Sequence, residues 1–308
     1  MQDKCKIARY VLHSKSTCSF VWQISVQKLL QFCLWKITSN CMSAKIISIA
    51  IQKGGTGKTT TAYALGTGLK KYGMKVLLVD IDPQANLTLG LGHHDSLNTV
   101  PKTLYEAIWA VSKEQDYDVK GIIRQTSAGV DLLPSTKHLG ASDHELIQVD
   151  NRQLVLKSIL DQVKEDYDII IIDTPPKIDN LTINALSASD YYLIPLNAEY
   201  FAASGLELLV DTADRVKEHF NPGLECLGVV MNRFNPHKIA MRNMATFAEN
   251  RLGNLIFQGH IRENVALMEA QMVNQSIFDY MPDSNGAKDF DALTQEVMAR
   301  LQIPVKTS

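Results

Sequence analysis

From residue 45 onward, short apolar runs alternate with stretches in which apolar residues recur every three or four positions. That alternation is the pattern of parallel βαβ units, strands buried beneath crossover helices. The runs KIISIAI (45–51), KVLLVDID (75–82), GVDLLPS (129–135), YDIIIIDTPP (167–176), YYLIPL (191–196) and LECLGVVMN (224–232) read as strands, with a shorter one at 255–260. Four consecutive isoleucines, Ile169 to Ile172, leave no polar face, which puts that strand in the centre of a sheet covered on both sides. Helical periods fall at 59–71, around 103–111, and at 151–164, 205–219 and 287–301, with Gly73 ending the first. Residues 89–125 read as an excursion carrying one helix. The expected fold class is α/β: a single doubly wound, mostly parallel sheet with helices on both faces.

Composition changes this picture at one place. The 308 residues carry a formal net charge of −2 and are 45% hydrophobic, so nothing global draws the chain to nucleic acid or membrane. Residues 1–41 stand apart, with four of the five cysteines, two of the three tryptophans and a local charge of +5, leaving about −7 for the rest. The expected organisation is therefore a leader at 1–41 and one domain at 42–308. Lys28, Gln23, Gln27 and Gln31 interrupt the leader's apolar stretch, which argues against a secretory signal or a membrane span. Two readings stay open. The leader is either an interfacial amphipathic helix anchored by Trp22, Leu29, Phe32 and Trp35, or a segment that is disordered or, with a native start at Met42, not part of the native protein. Cys226, alone in the domain and without metal-binding spacing, fits a cytoplasmic location.

The chemistry is concentrated in IAIQKGGTGKTTTAYAL (49–65). A loop between a strand and a helix gathers unpaired backbone N–H groups at the positive end of the helix dipole. Gly54, Gly55 and Gly57 let that backbone approach phosphate oxygens, Lys58 can reach the β- and γ-phosphates, and Thr59 can ligate Mg²⁺. Thr56 and Thr60 complete the loop. A second lysine, Lys53, precedes the glycines where the common phosphate loop has none, and its bland alternative is a solvated loop lysine. Asp80 and Asp82 end the second strand and, at a period of two, are expected on one side of it, while Asp173 ends the isoleucine strand. Carboxylates at the C-terminal edge of a parallel sheet line the ligand crevice.

KGGTGKTT resembles the deviant phosphate loop of the ParA/MinD superfamily of ATPases, and VDIDPQANLT resembles that family's D-x-D-P-Q-x-N motif, with Ala85 where many members have glycine. The resemblance extends from about residue 44 to 301, and VDLLPS, PLNAEYFAASGL (195–206) and SIFDYMPDSNGAKDF (276–290) are similar to the ParA/Soj branch that partitions plasmids and chromosomes. It implies an ATPase using ATP and Mg²⁺, a homodimer formed around two nucleotides, non-specific DNA binding on the nucleoid, and a ParB-like partner that stimulates hydrolysis. It implies that Lys58 serves its own nucleotide and Lys53 its partner's, that Asp82 orients the attacking water with Asp80 in support, and that Asp173 holds Mg²⁺ through water. Asn232 matches a position where relatives contact the base, against the alternative of a satisfied buried amide, and the loop at Ile261–Arg262 is expected to close over it. Where relatives often read IPRNVRL this chain has IRENVAL (261–267), so no DNA-contact map is carried over. The basic run 232–251, with Arg233, Lys238, Arg242 and Arg251, is either a DNA-facing surface or a solvated helix face. A MinD-like ATPase that grips membrane is the alternative function, but it needs a basic amphipathic C-terminal helix. Here Pro304 interrupts the final segment, and membrane is the less expected partner. A nitrogenase iron-protein reading lacks cluster-ligating cysteines in the domain. An adaptor without turnover remains open, with Lys53, Lys58 and Asp82 against it.

Overall fold

The isoleucine run forms the buried strand β5 (Ile169–Asp173), flanked in register by β2 (Val76–Asp80) on one side and β1 (Lys45–Ile49) on the other, all parallel. In this computed structural model, which describes residues 43–93, 102–146, 149–197, 203–235 and 237–304, the sheet has eight strands in the order β3-β4-β2-β5-β1-β6-β7-β8. The remaining strands are β3 (Arg124–Gln125), β4 (Asp131–Leu133), β6 (Tyr191–Asn197), β7 (Glu225–Phe234) and β8 (Ile256–Arg262). Only β3 runs antiparallel, against β4 at one edge. The described residues, from 43 to 304, belong to one compact unit, and the expected leader lies outside them.

Pleating explains why both faces of β5 are apolar. Ile169 and Ile171 pack with α1 (Lys58–Lys71) and the C-terminal α11 (Asn285–Arg300), whereas Ile170 and Ile172 pack with α3 (Leu104–Ser112), α5 (Val155–Asp161) and α6 (Asn180–Ala188). All four are fully buried, each worth about 2 kcal/mol against exposure. On the β6–β7 half, α7 (Ala203–His219) and α8 (Ile239–Leu252) cover the second face. Helices thus lie on both faces, as expected. Shorter helices are α2 (Asn86–Gly90), α4 (Leu139–Glu145), α9 (Ala266–Met272) and α10 (Ile277–Tyr280).

Two expectations need correction. The helix expected at 151–164 is only α5 flanked by 3₁₀ turns at Arg152–Leu154 and Lys164–Asp166. Asn151 sits at φ 55, and the Asn184 side chain takes the Leu156 N–H and donates to the Arg152 carbonyl, so local polar contacts replace the regular first turn. The second strand ends at Asp80, so Asp82 lies in the following turn and not on the pleat.

Candidate functional site

The segment between β1 and α1 is held open by two left-handed glycines, Gly55 at φ 74 and Gly57 at φ 87, conformations that strain any residue with a Cβ. A Cβ at Gly54 or Gly55 would meet no atom within 4 Å, so the backbone there borders open space of the kind a phosphate chain needs. Gly57 caps α1, whose first turn has free N–H groups and no acidic side chain. Lys58 folds back across the loop, its Nζ donating to the Lys53 carbonyl at 2.9 Å and the Ile51 carbonyl at 3.4 Å. Burial holds its pKa below the usual lysine value, opposed by the nearby charges of Asp173 and Asp82. Thr56 is buried, and Lys53, Thr59 and Thr60 are half-buried around the same loop.

The carboxylates converge on this lysine from two neighbouring strands. Asp80 and Asp173 are direct register partners on β2 and β5. Asp80 accepts the Thr88 N–H at 2.8 Å, the Thr88 hydroxyl at 2.7 Å and the Asp82 N–H at 3.1 Å, so it fixes the turn that carries Asp82. Ser135 braces the same turn, donating its hydroxyl to the Asp82 carbonyl and its N–H to the Thr88 hydroxyl. Asp82 itself is 7% exposed and accepts the Gln84 N–H. Ala85, the departure from glycine, adopts φ 55, a left-handed conformation that costs an alanine roughly 1–2 kcal/mol.

Asp173 is fully buried, and neither of its carboxylate oxygens has a hydrogen-bond partner among the described residues. Its pKa is pushed well up, first by burial and then by Asp80, with the adjacent Thr59 hydroxyl holding it down somewhat without closing a hydrogen bond. A bare buried carboxyl beside a threonine hydroxyl is a hard-oxygen donor set that suits Mg²⁺ completed by water and phosphate oxygens. The residues present therefore fit the cation.

Burial likewise raises Asp80 to about 7 from 3.8, against the three hydrogen bonds it accepts. An Asp whose pKa rises on folding takes up a proton as the chain folds. Stability of the metal-free protein should therefore fall as pH climbs from about 4 to about 7, by up to about 1.4 kcal/mol per pH unit for one such group. Urea unfolding in EDTA at pH 4.5 and 7.5 measures this slope. Asp80→Asn should remove that one group's share of the slope and leave the share of Asp173, and an unchanged slope would assign the proton elsewhere.

Beside the loop opens a cavity of about 340 Å³ whose lining includes Gly55, Gly57, Thr60, Asn232, Ile261 and Arg262. Asn232 ends its inward course against the loop, its Nδ2 donating to the Thr56 carbonyl at 3.0 Å and the Thr61 hydroxyl at 3.1 Å. Arg262 is held by Asp289, which accepts from its backbone N–H, Nε and Nη2. Asn232, Ile261 and Arg262 thus border the same cavity as the phosphate loop.

The basic run is less uniform than its sequence. All four basic residues are exposed: Arg233 faces Glu263 at 3.2 Å, Arg251 faces Glu207 at 3.7 Å, and Lys238 and Arg242 stand at the start of α8. Sequence reasoning did not single out Thr61, Thr88 or Ser135. Thr61 and Ser135 act through partners 47 to 171 residues away, and Thr88 joins one of those contacts to its bonds with Asp80 eight residues before it.

The profile of a family described as AAA domain matches residues 44–226. The sporulation initiation inhibitor protein Soj of Bacillus subtilis is 39% identical over 256 residues, covering 83% of this chain and 98% of Soj. Among solved structures, a Mycobacterium smegmatis cobyrinic acid a,c-diamide synthase with bound ADP and magnesium is similar at a TM-score of 0.73 and 27% identity, over 86% of this chain and 100% of that one. The septum site-determining protein MinD of Pyrococcus horikoshii, complexed with Mg-ADP, follows at 0.67 and 28%, over 86% and 100%. The two-lysine loop, the carboxylates set around it on adjacent parallel strands, and a likeness to Soj along nearly its whole length agree: this chain belongs to the ParA/Soj-type family of ATPases.

Proposed function

We propose that this chain is a partition ATPase that binds MgATP, pairs with a second copy around two nucleotides, holds DNA without sequence preference, and hydrolyses ATP when a ParB-like partner stimulates it. The observation that carries the reading is the loop itself: two lysines, a bordering open space and an unpartnered buried carboxyl within electrostatic reach of one of them. In this scheme the loop N–H groups and Lys58 hold the phosphates, and Thr59 and Asp173, the latter through water, hold Mg²⁺. The cation would neutralise charge on the phosphate oxygens. Asp82, fixed in its turn by Asp80 and Ser135, would align the attacking water. Lys53 would reach the partner's nucleotide, supplying positive charge as an arginine finger does and making turnover conditional on pairing.

Exposed Lys238 and Arg242 support a DNA-facing surface at α8, in a location on the nucleoid. Among the described residues no helix is long and apolar enough to cross a membrane, and the apolar stripe of α11 is buried against the sheet. Retention on random duplex DNA and on anionic liposomes, each with and without ATP, tests the reading. ATP-dependent DNA retention that weakens steeply with added salt is expected, since phosphate contacts release counterions. Retention on liposomes alone would replace it with a MinD-like role.

A further inference from the structure

We propose that Asn232 is a positioning residue for the phosphates, a brace that sets the shape of the loop whether or not a base is bound. The inference rests on the nucleotide-binding reading above and adds to it. Thr56 lies between the two left-handed glycines, Gly55 and Gly57, which are the most conformationally free positions in the loop. Its carbonyl can only accept, so the Asn232 amide must present Nδ2 to it, and the same nitrogen also reaches Thr61 on the first turn of α1. One side chain from β7 thereby ties the loop to the helix it opens.

The peptide plane carries the consequence. The Thr56 C=O and the Gly57 N–H belong to one trans peptide and point in opposite directions. With the carbonyl fixed on the Asn232 side, the Gly57 N–H is aimed away from it. The contact is close, for a Cβ at Gly57 would stand 2.8 Å from Nδ2. Asn232 is 4% exposed, and its Oδ1 has no partner among the described residues, so none of them competes for the amide's orientation.

The test separates phosphate from base by titrating the full chain with MgATP and with magnesium tripolyphosphate, which has no base. Asn232→Ala should weaken both ligands by a common factor of about tenfold, the worth of one to two buried hydrogen bonds. Thr61→Val, which keeps side-chain shape and removes one acceptor, should weaken both by about threefold. It also serves where the alanine variant fails to fold, and ligand-free unfolding midpoints fix a temperature at which every variant is native. A loss confined to MgATP, with tripolyphosphate binding unchanged, would overturn the brace and leave Asn232 a base contact alone. If the unsubstituted chain bound neither ligand, the nucleotide reading itself would fall, a result distinct from the first.

Discussion

Lys58→Ala is expected to abolish measurable ATP binding, with at least a ~100-fold loss of affinity in a calorimetric titration. Two arguments add. The Nζ is already gathered onto the loop by the Lys53 and Ile51 carbonyls, so the chain holds the ammonium before any ligand arrives. That ammonium is also the positive charge facing Asp173 and Asp82. Without it, a polyanion would approach a floor of carboxylates with nothing to offset them. An unfolding midpoint on the same variant separates this from loss of the fold. Affinity within a few-fold of the unsubstituted chain would remove Lys58 from the phosphate site.

Asp82→Ala should leave ATP affinity and pairing intact while lowering the stimulated turnover by about 10²- to 10⁴-fold, the usual range for a positioned acid or base. The separation follows from where the side chain sits. The turn around residue 82 is held by Asp80 and Ser135 through backbone atoms of Asp82 that alanine retains. What goes with the carboxylate is the hydrogen bond from the Gln84 N–H and the attraction to Lys58. Single-turnover hydrolysis, read beside nucleotide binding, makes the comparison, and hydrolysis at the unsubstituted rate would take Asp82 out of the chemistry.

The central strands were legible because burial on both faces leaves a continuous apolar run, as at Ile169–Asp173, and because parallel strands end in residues that do chemistry. The glycines and Lys58 follow the common phosphate-loop spacing, whereas Lys53 stands out only through the family resemblance. Much of what holds them was not legible. Asp80 looked like a site carboxylate sharing a pleat with Asp82, yet its oxygens are spent on Thr88 and the Asp82 N–H. Thr88 and Ser135 end separate motifs 47 residues apart, and only the fold brings them together. The two-residue β3 leaves almost no periodicity to read, and α2 begins after an alanine whose left-handed backbone no propensity scale would favour.

The strand order has a consequence for how such a chain can vary. The proposed chemistry hangs on β2, β5 and β1, three strands side by side at the middle of the sheet, with Asp173 between Asp80 and Ile49 in one continuous register. Neighbours clamp that middle from both directions, so the separations among loop, lysine and carboxyls are insulated from rearrangement at the margins. Lengthening, shortening or resurfacing of the β3–β4 border or the β8 border can then retune what the molecule grips while the phosphate chemistry stays in calibration.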